Sequence, residues 1–144
     1  MSSIVRPVQQ MLAADRTLSG LGIEVRSAEG GTAVATMTVH PNAANGHGIA
    51  HGGLIYALAD TAFACAANSQ APGSATASAT IVYFSPARVG ETLTAEAQTR
   101  HTTKRQSLID VTVRCGDRVV AEYRGRSARL GPVPAETKDP EDGA

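Results

Sequence analysis

His51-Gly52-Gly53-Leu54-Ile55-Tyr56-Ala57-Leu58-Ala59-Asp60-Thr61-Ala62-Phe63-Ala64-Cys65-Ala66-Ala67 is the most informative stretch of the 144-residue chain. From Leu54 onward its one charged residue is Asp60. A segment apolar on nearly every helical face is a buried helix. Here the pattern predicts one over about residues 52–69, ended by Gln70-Ala71-Pro72-Gly73. The neighbours of Asp60 three and four positions away are Tyr56, Ala57, Phe63 and Ala64. An ionised carboxylate in such surroundings is costly unless it is paired or put to use. Asp is also a poor helix-interior residue. Asp60 is therefore either one half of a buried ion pair or a chemically active group.

The start of the same helix carries a second signal. The first N–H groups of a helix lack internal partners, and the helix dipole adds partial positive charge there. Gly52 and Gly53 place no side chain between those groups and a ligand. Such an end accepts an oxyanion. Gly52 and Asp60 lie eight positions apart, about 12 Å along a helix axis. A catalytic group must come to about 3 Å from the atom it works on, so one helix cannot bring both to one carbonyl. A second copy related by a two-fold axis does so. The expected assembly is an obligate homodimer with two composite sites.

Composition narrows the class. The chain length fits one domain. Formal net charge is zero and aromatic content is 3%, without Trp, which argues against a nucleic-acid partner. Cys65 and Cys115 fall in apolar settings and read as core thiols. Residues 1–10 lack the apolar run of a signal peptide. No apolar segment is long enough to span a membrane, so a cytoplasmic location is expected.

Outside the helix, Ile4, Val5, Val8, Met11 and Leu12 recur at helical spacing, predicting a short helix up to about Ala14. Residues 22–27 and 32–39 read as a hairpin turning at Glu29-Gly30-Gly31. Residues 40–50 are a Pro/Asn/Gly-rich loop. Four strands are expected over roughly 75–84, 92–101, 106–115 and 118–129, as a meander. The segment 131–144, GPVPAETKDPEDGA, is acidic and Pro-rich and reads as a disordered tail after a single domain over 1–130. One helix wrapped by an antiparallel sheet, an α+β fold, satisfies this order.

The run NGHGIAHGGLIYALADTAFACAANSQ at 45–70 resembles the signature of hotdog-fold acyl-CoA thioesterases of the phenylacetate-degradation (PaaI) type. The likeness extends to Gly22-Ile23, ATMTV at 35–39, Ser85-Pro86, Gly90-Glu91-Thr92-Leu93-Thr94-Ala95, Arg124-Gly125-Arg126-Ser127 and Gly131, over roughly residues 10–131. The resemblance implies that Asp60 is the catalytic carboxylate, as general base or nucleophile. It implies that the Gly52 N–H polarises the thioester carbonyl, with Gly53 beside it and His51 as the motif histidine. Asn45 would orient the attacking water, and Thr76, with Ser78 in competition, would lie near the acid. The implied substrates are arylacetyl-CoA thioesters such as phenylacetyl-CoA and its hydroxylated forms, with coenzyme A as part of the substrate and no cofactor. Dimers would pair again into a tetramer.

Each residue also has a plainer reading. His51 fits a helix cap, and Asn45-Gly46 is an ordinary turn signal. His47 and His51 are spaced for a metal only on a helix, which Gly46 and Gly48 break, so no metal is expected. The phosphates of coenzyme A call for basic side chains at the rim; Arg88, Lys104 and Arg105 are the candidates. The competing functions are a hotdog module that binds acyl-CoA without hydrolysis and a hotdog hydratase or dehydratase.

Overall fold

A computed structural model describes residues 3–130; the tail expected at 131–144 lies outside them. The chain runs β1 (Ser3–Ile4), α1 (Arg6–Ala14), α2 (Leu18–Leu21), β2 (Ile23–Glu29), β3 (Thr32–Thr38), a 3-10 turn (Pro41–Ala43), α3 (Gly52–Gln70), β4 (Ser74–Tyr83), β5 (Thr92–Thr102), β6 (Gln106–Cys115) and β7 (Arg118–Arg129). The strands form one sheet in the order β1-β2-β3-β5-β6-β7-β4. α3 lies across one face and touches β2 through β7. This is the expected α+β hotdog arrangement.

Alanine sets the distance between helix and sheet. The cross-strand pairs Ala33–Ala97 and Ala35–Ala95 and the helical Ala59, Ala62, Ala66 and Ala67 are all buried in one core. Small side chains on both sides let the helix settle closely, and Leu58, Phe63, Leu93, Val111 and Val113 fill the flanks. A stripe of α3 remains only partly covered, at Gly53, Ala57, Asp60, Thr61 and Ala64. The opposite face of the sheet is solvated, with Asp110 held between Arg100 and Arg124. Both cysteines are free. Burial pushes the Cys65 thiol up to about 12, and half-buried Cys115 is raised by burial and then by Glu91.

Two expectations change. Ile4 does not open a helix; it sits in β1, parallel to β2 and opposite Ala28. Pro7, in the first turn of α1, favours a helix start at this point, and Val5 before it is extended. The last four strands are not a simple meander either. β5, β6 and β7 follow one another, but β4 lies beyond β7 at the sheet edge. Residues 84–91 form no tight hairpin and carry the chain past β7 and β6 to β5. The β2–β3 turn does follow expectation: Gly30 and Gly31 both have positive φ, 57° and 85°, as the favoured two-residue hairpin requires.

Gly125 of β7 is needed for closeness rather than flexibility. A Cβ there would stand 2.7 Å from Cε1 of buried Phe63 and 2.9 Å from Cε1 of Tyr123. Gly125→Ala is expected to destabilise the fold by about 1–3 kcal/mol through overpacking, read as a lower thermal unfolding midpoint. An unchanged midpoint would show that the two rings yield freely.

Candidate active site

The site begins at the C-terminal end of α3. Buried Asn68 donates from Nδ2 to the carbonyls of Ala64 and Ser74, and its Oδ1 accepts the N–H groups of Gly73 and Ser74 at 2.9 and 3.0 Å. With both ends of its amide used, Asn68 ties the first residues of β4 to the helix. β4 then runs back alongside α3, so that Thr76 meets Asp60 and Tyr83 meets Gly52.

Asp60 receives two donors. Thr76 Oγ1 donates to Oδ1 at 3.0 Å, and the Tyr123 hydroxyl donates to the same oxygen at 2.6 Å. It is Thr76, not Ser78, that stands at hydrogen-bond distance of the acid; the β4–β7 register shifts between those two residues. Among the described residues no Arg or Lys pairs with Asp60, so its partners there are the two hydroxyls. Burial, followed by the Asp60 carboxylate, holds the Tyr123 phenol proton far above the ordinary tyrosine range.

The helix start is equally defined. His51 is the N-cap, and its Nδ1 accepts the Gly53 N–H at 3.2 Å. That bond commits the Gly53 N–H and leaves the Gly52 N–H without an acceptor among the described residues. The Gly52 carbonyl accepts the Tyr83 hydroxyl at 2.7 Å. A cavity of about 420 Å³ opens here, lined among others by Asn45, Ala50, Gly52, Ile55, Tyr83 and Phe84. Asn45 shapes its wall: Oδ1 accepts the N–H groups of His47 and Ile49 at 2.8 and 3.4 Å, closing the tight loop predicted by Asn45-Gly46.

Asp60 and Gly52 stay in one unbroken helix, more than two turns apart. One chain thus carries a carboxylate at mid-helix and a free N–H at the helix start, without joining them. The basic residues divide the same way. Arg88 bridges Ile49 beside the Gly52 cavity, its N–H fixed by Glu91, which Arg118 also holds. The Arg118 side chain and the Arg88 N–H bring the Glu91 carboxyl down to about 2. Lys104 and Arg105 instead line a cavity of about 130 Å³ with Gln70 and Ala71, at the other end of α3. Among the described residues no three His, Cys, Asp or Glu side chains form a metal-binding cluster, and no helix is long and apolar enough to cross a membrane.

Tyr123, Asn68 and Tyr83 are site residues that sequence reasoning missed. A signal for Tyr123 exists: it falls on an inward beat of β7, and a buried tyrosine hydroxyl needs a polar partner.

A carboxylate without a cation among the described residues and an open helix start thus stand on one hotdog scaffold. The chain belongs to the thioesterase superfamily, whose family model matches residues 47–122. It is 43% identical over 122 residues to the acyl-coenzyme A thioesterase PaaI of Escherichia coli, covering 84% of this chain and 87% of that protein. The solved structure of E. coli PaaI, a protein of the phenylacetic acid degradation operon, superposes with a TM-score of 0.84 over 91% of this chain and 99% of its own. PaaI of Thermus thermophilus is similar at 34% identity and a TM-score of 0.78, over 81% of this chain and 100% of its own. A Streptococcus mutans protein solved with acetyl CoA matches at 26% identity and a TM-score of 0.73, over 78% and 91%.

Proposed function

We propose that the protein hydrolyses acyl-CoA thioesters, with arylacetyl-CoA as the substrate class, in a composite site shared by two copies of the chain in the cytoplasm. The observation that carries this reading is the placement of Asp60. Among the described residues it has two hydrogen-bond donors and no cation, on a half-open helix face, two turns from a Gly52 N–H that has no acceptor there. The E. coli and S. mutans relatives point to coenzyme A as the thiol part.

In the proposed reaction the thioester oxygen rests on the Gly52 N–H of one copy and Asp60 of the other acts. As a base, Asp60 takes a proton from water while the hydroxide oxygen bonds to the carbonyl carbon. The negative charge moves to the carbonyl oxygen and is met by the N–H. Collapse breaks the C–S bond, and the thiolate leaves with the proton from Asp60. As a nucleophile, Asp60 bonds to the carbonyl carbon and expels the thiolate, and water then opens the mixed anhydride to restore the carboxylate. Asn45 and His51 frame the water and the carbonyl, and Arg88, Lys104 and Arg105 meet the coenzyme phosphates. Because Arg88 and Lys104-Arg105 lie at opposite ends of α3, they converge on one ligand only if it spans two copies.

β4 supports the pairing. It is an edge strand of ten residues, and Val82, Tyr83 and Phe84 are 50%, 46% and 63% exposed. A long edge strand with an apolar end beside a half-open helix stripe invites a second copy. A further pairing of dimers into a tetramer belongs to the same proposal.

The test is thiol release across a panel of acyl-CoA thioesters, each followed also for product acid. Stoichiometric thiol and acid, fastest for arylacetyl groups, are expected. Binding without thiol release would instead define an acyl-CoA-binding module, and addition or loss of water in the acyl chain a hydratase or dehydratase.

A further inference from the structure

Both donors to Asp60 fall on one of its two oxygens. Thr76, from β4, and Tyr123, from β7, share Oδ1, while among the described residues nothing donates to Oδ2. A carboxylate held through one oxygen has a fixed plane and one unencumbered oxygen.

The Tyr123 ring has little room to turn. It is 1% exposed and lies 5.5 Å from the ring of Tyr56, edge to face, and 5.6 Å from that of Phe63. Those two residues come from α3, four positions before Asp60 and three after it, and so stand on the same helix face as the carboxylate. On the far side, Phe63 and Tyr123 occupy the space that a side chain at Gly125 would claim. The rings flanking Asp60 along its own helix thus grip the ring whose hydroxyl reaches it.

We propose that Tyr123 is a positioning residue for thioester hydrolysis: with Thr76 it secures Oδ1 of Asp60 and so makes Oδ2 the oxygen that works on water or on the thioester carbon. Tyr123 itself touches neither. This rests on the reading of Asp60 as the catalytic carboxylate. Its physical content is orientation, since a reacting oxygen already aimed at its target does not have to be found by rotation during the reaction.

The experiment compares Tyr123→Phe, Thr76→Val and Asp60→Asn by steady-state thiol release and by calorimetric binding of coenzyme A. Tyr123→Phe keeps the ring and its packing and removes only the hydroxyl. It is expected to lower kcat by about tenfold, with KM and coenzyme affinity within about twofold of the parent. Thr76→Val removes the other donor to Oδ1 at an exposed strand position, and is expected to show the same split of kcat from KM even if Tyr123→Phe folds poorly. If Asp60→Asn is inactive while both donor variants keep parental kcat, the positioning role is wrong and the assignment of Asp60 stands. If kcat, KM and coenzyme affinity deteriorate together, the hydroxyls serve the packing of the site, and the proposal is overturned. If Asp60→Asn itself keeps its turnover, the reading of Asp60 fails and the role of Tyr123 fails with it.

Discussion

Asp60→Asn is expected to lower turnover of acyl-CoA by about a thousandfold or more, the scale seen when a catalytic nucleophile or base is removed. The substitution is nearly isosteric, and the amide oxygen can still accept from Tyr123 and Thr76 where Oδ1 does now. Its NH2 group then takes the place of Oδ2, and an amide nitrogen neither removes a proton from water nor attacks a thioester. The fold has no reason to suffer. A charge is lost from a helix otherwise lined by Ala, Tyr and Phe, which relieves desolvation. Thermal unfolding should give a midpoint at or above that of the parent, and calorimetry should show coenzyme A bound nearly as before. Turnover within about twofold of the parent would end the catalytic assignment.

The shared site makes a second, larger-signal prediction, because it forecasts activity appearing where two dead proteins meet. Asp60→Asn chains lack the carboxylate. Gly52→Val chains lack an approachable N–H: a Cβ at Gly52 already comes to 3.3 Å of the Tyr83 ring, and a branched side chain closes the mouth of the cavity. Each homodimer should be inactive. In a mixed dimer one site collects both defects, while the other takes Gly52 from the Asp60→Asn chain and Asp60 from the Gly52→Val chain. Co-expression should therefore restore up to about half the parental rate per mixed dimer by counting sites. Differently tagged chains purified in sequence give the mixed species free of both parents. Inactive mixed dimers whose chains are folded and paired would show that Asp60 and Gly52 do not serve one site across two copies.

The helix, the hairpin and the strand positions were legible in the sequence because each depends on local periodicity and on Gly and Pro. Strand order was not. β4 alternates little and pairs with β7, whose residues come some fifty positions later, as in Thr76–Ser127; nothing near either strand announces the other. β1 escaped because two residues carry no period, and Ile4 and Val5 fitted the helix that follows. The carboxylate and the open helix start were visible as local anomalies. The grip on the carboxylate was not: Tyr123 occupies an inward beat among Ala121, Gly125 and Ser127 and passes for core. Its polar partner is 63 positions away. Asn68 likewise carries no mark in the sequence that sets it apart, although its amide ties the start of β4 to α3.

An enzyme that handles thioesters faces the hazard of being acylated by them. Thiol–thioester exchange is a thiolate reaction. Cys65 lies fully buried in α3, only five positions from Asp60, where a carried-over acyl group would block the core. Burial holds its proton up to about 12, which disfavours the thiolate near neutral pH. Cys115, raised in the same direction by burial and Glu91, is also held in its unreactive form. The packing that buries Cys65 in the core thus keeps it protonated, and the catalyst is poorly suited to becoming its own substrate.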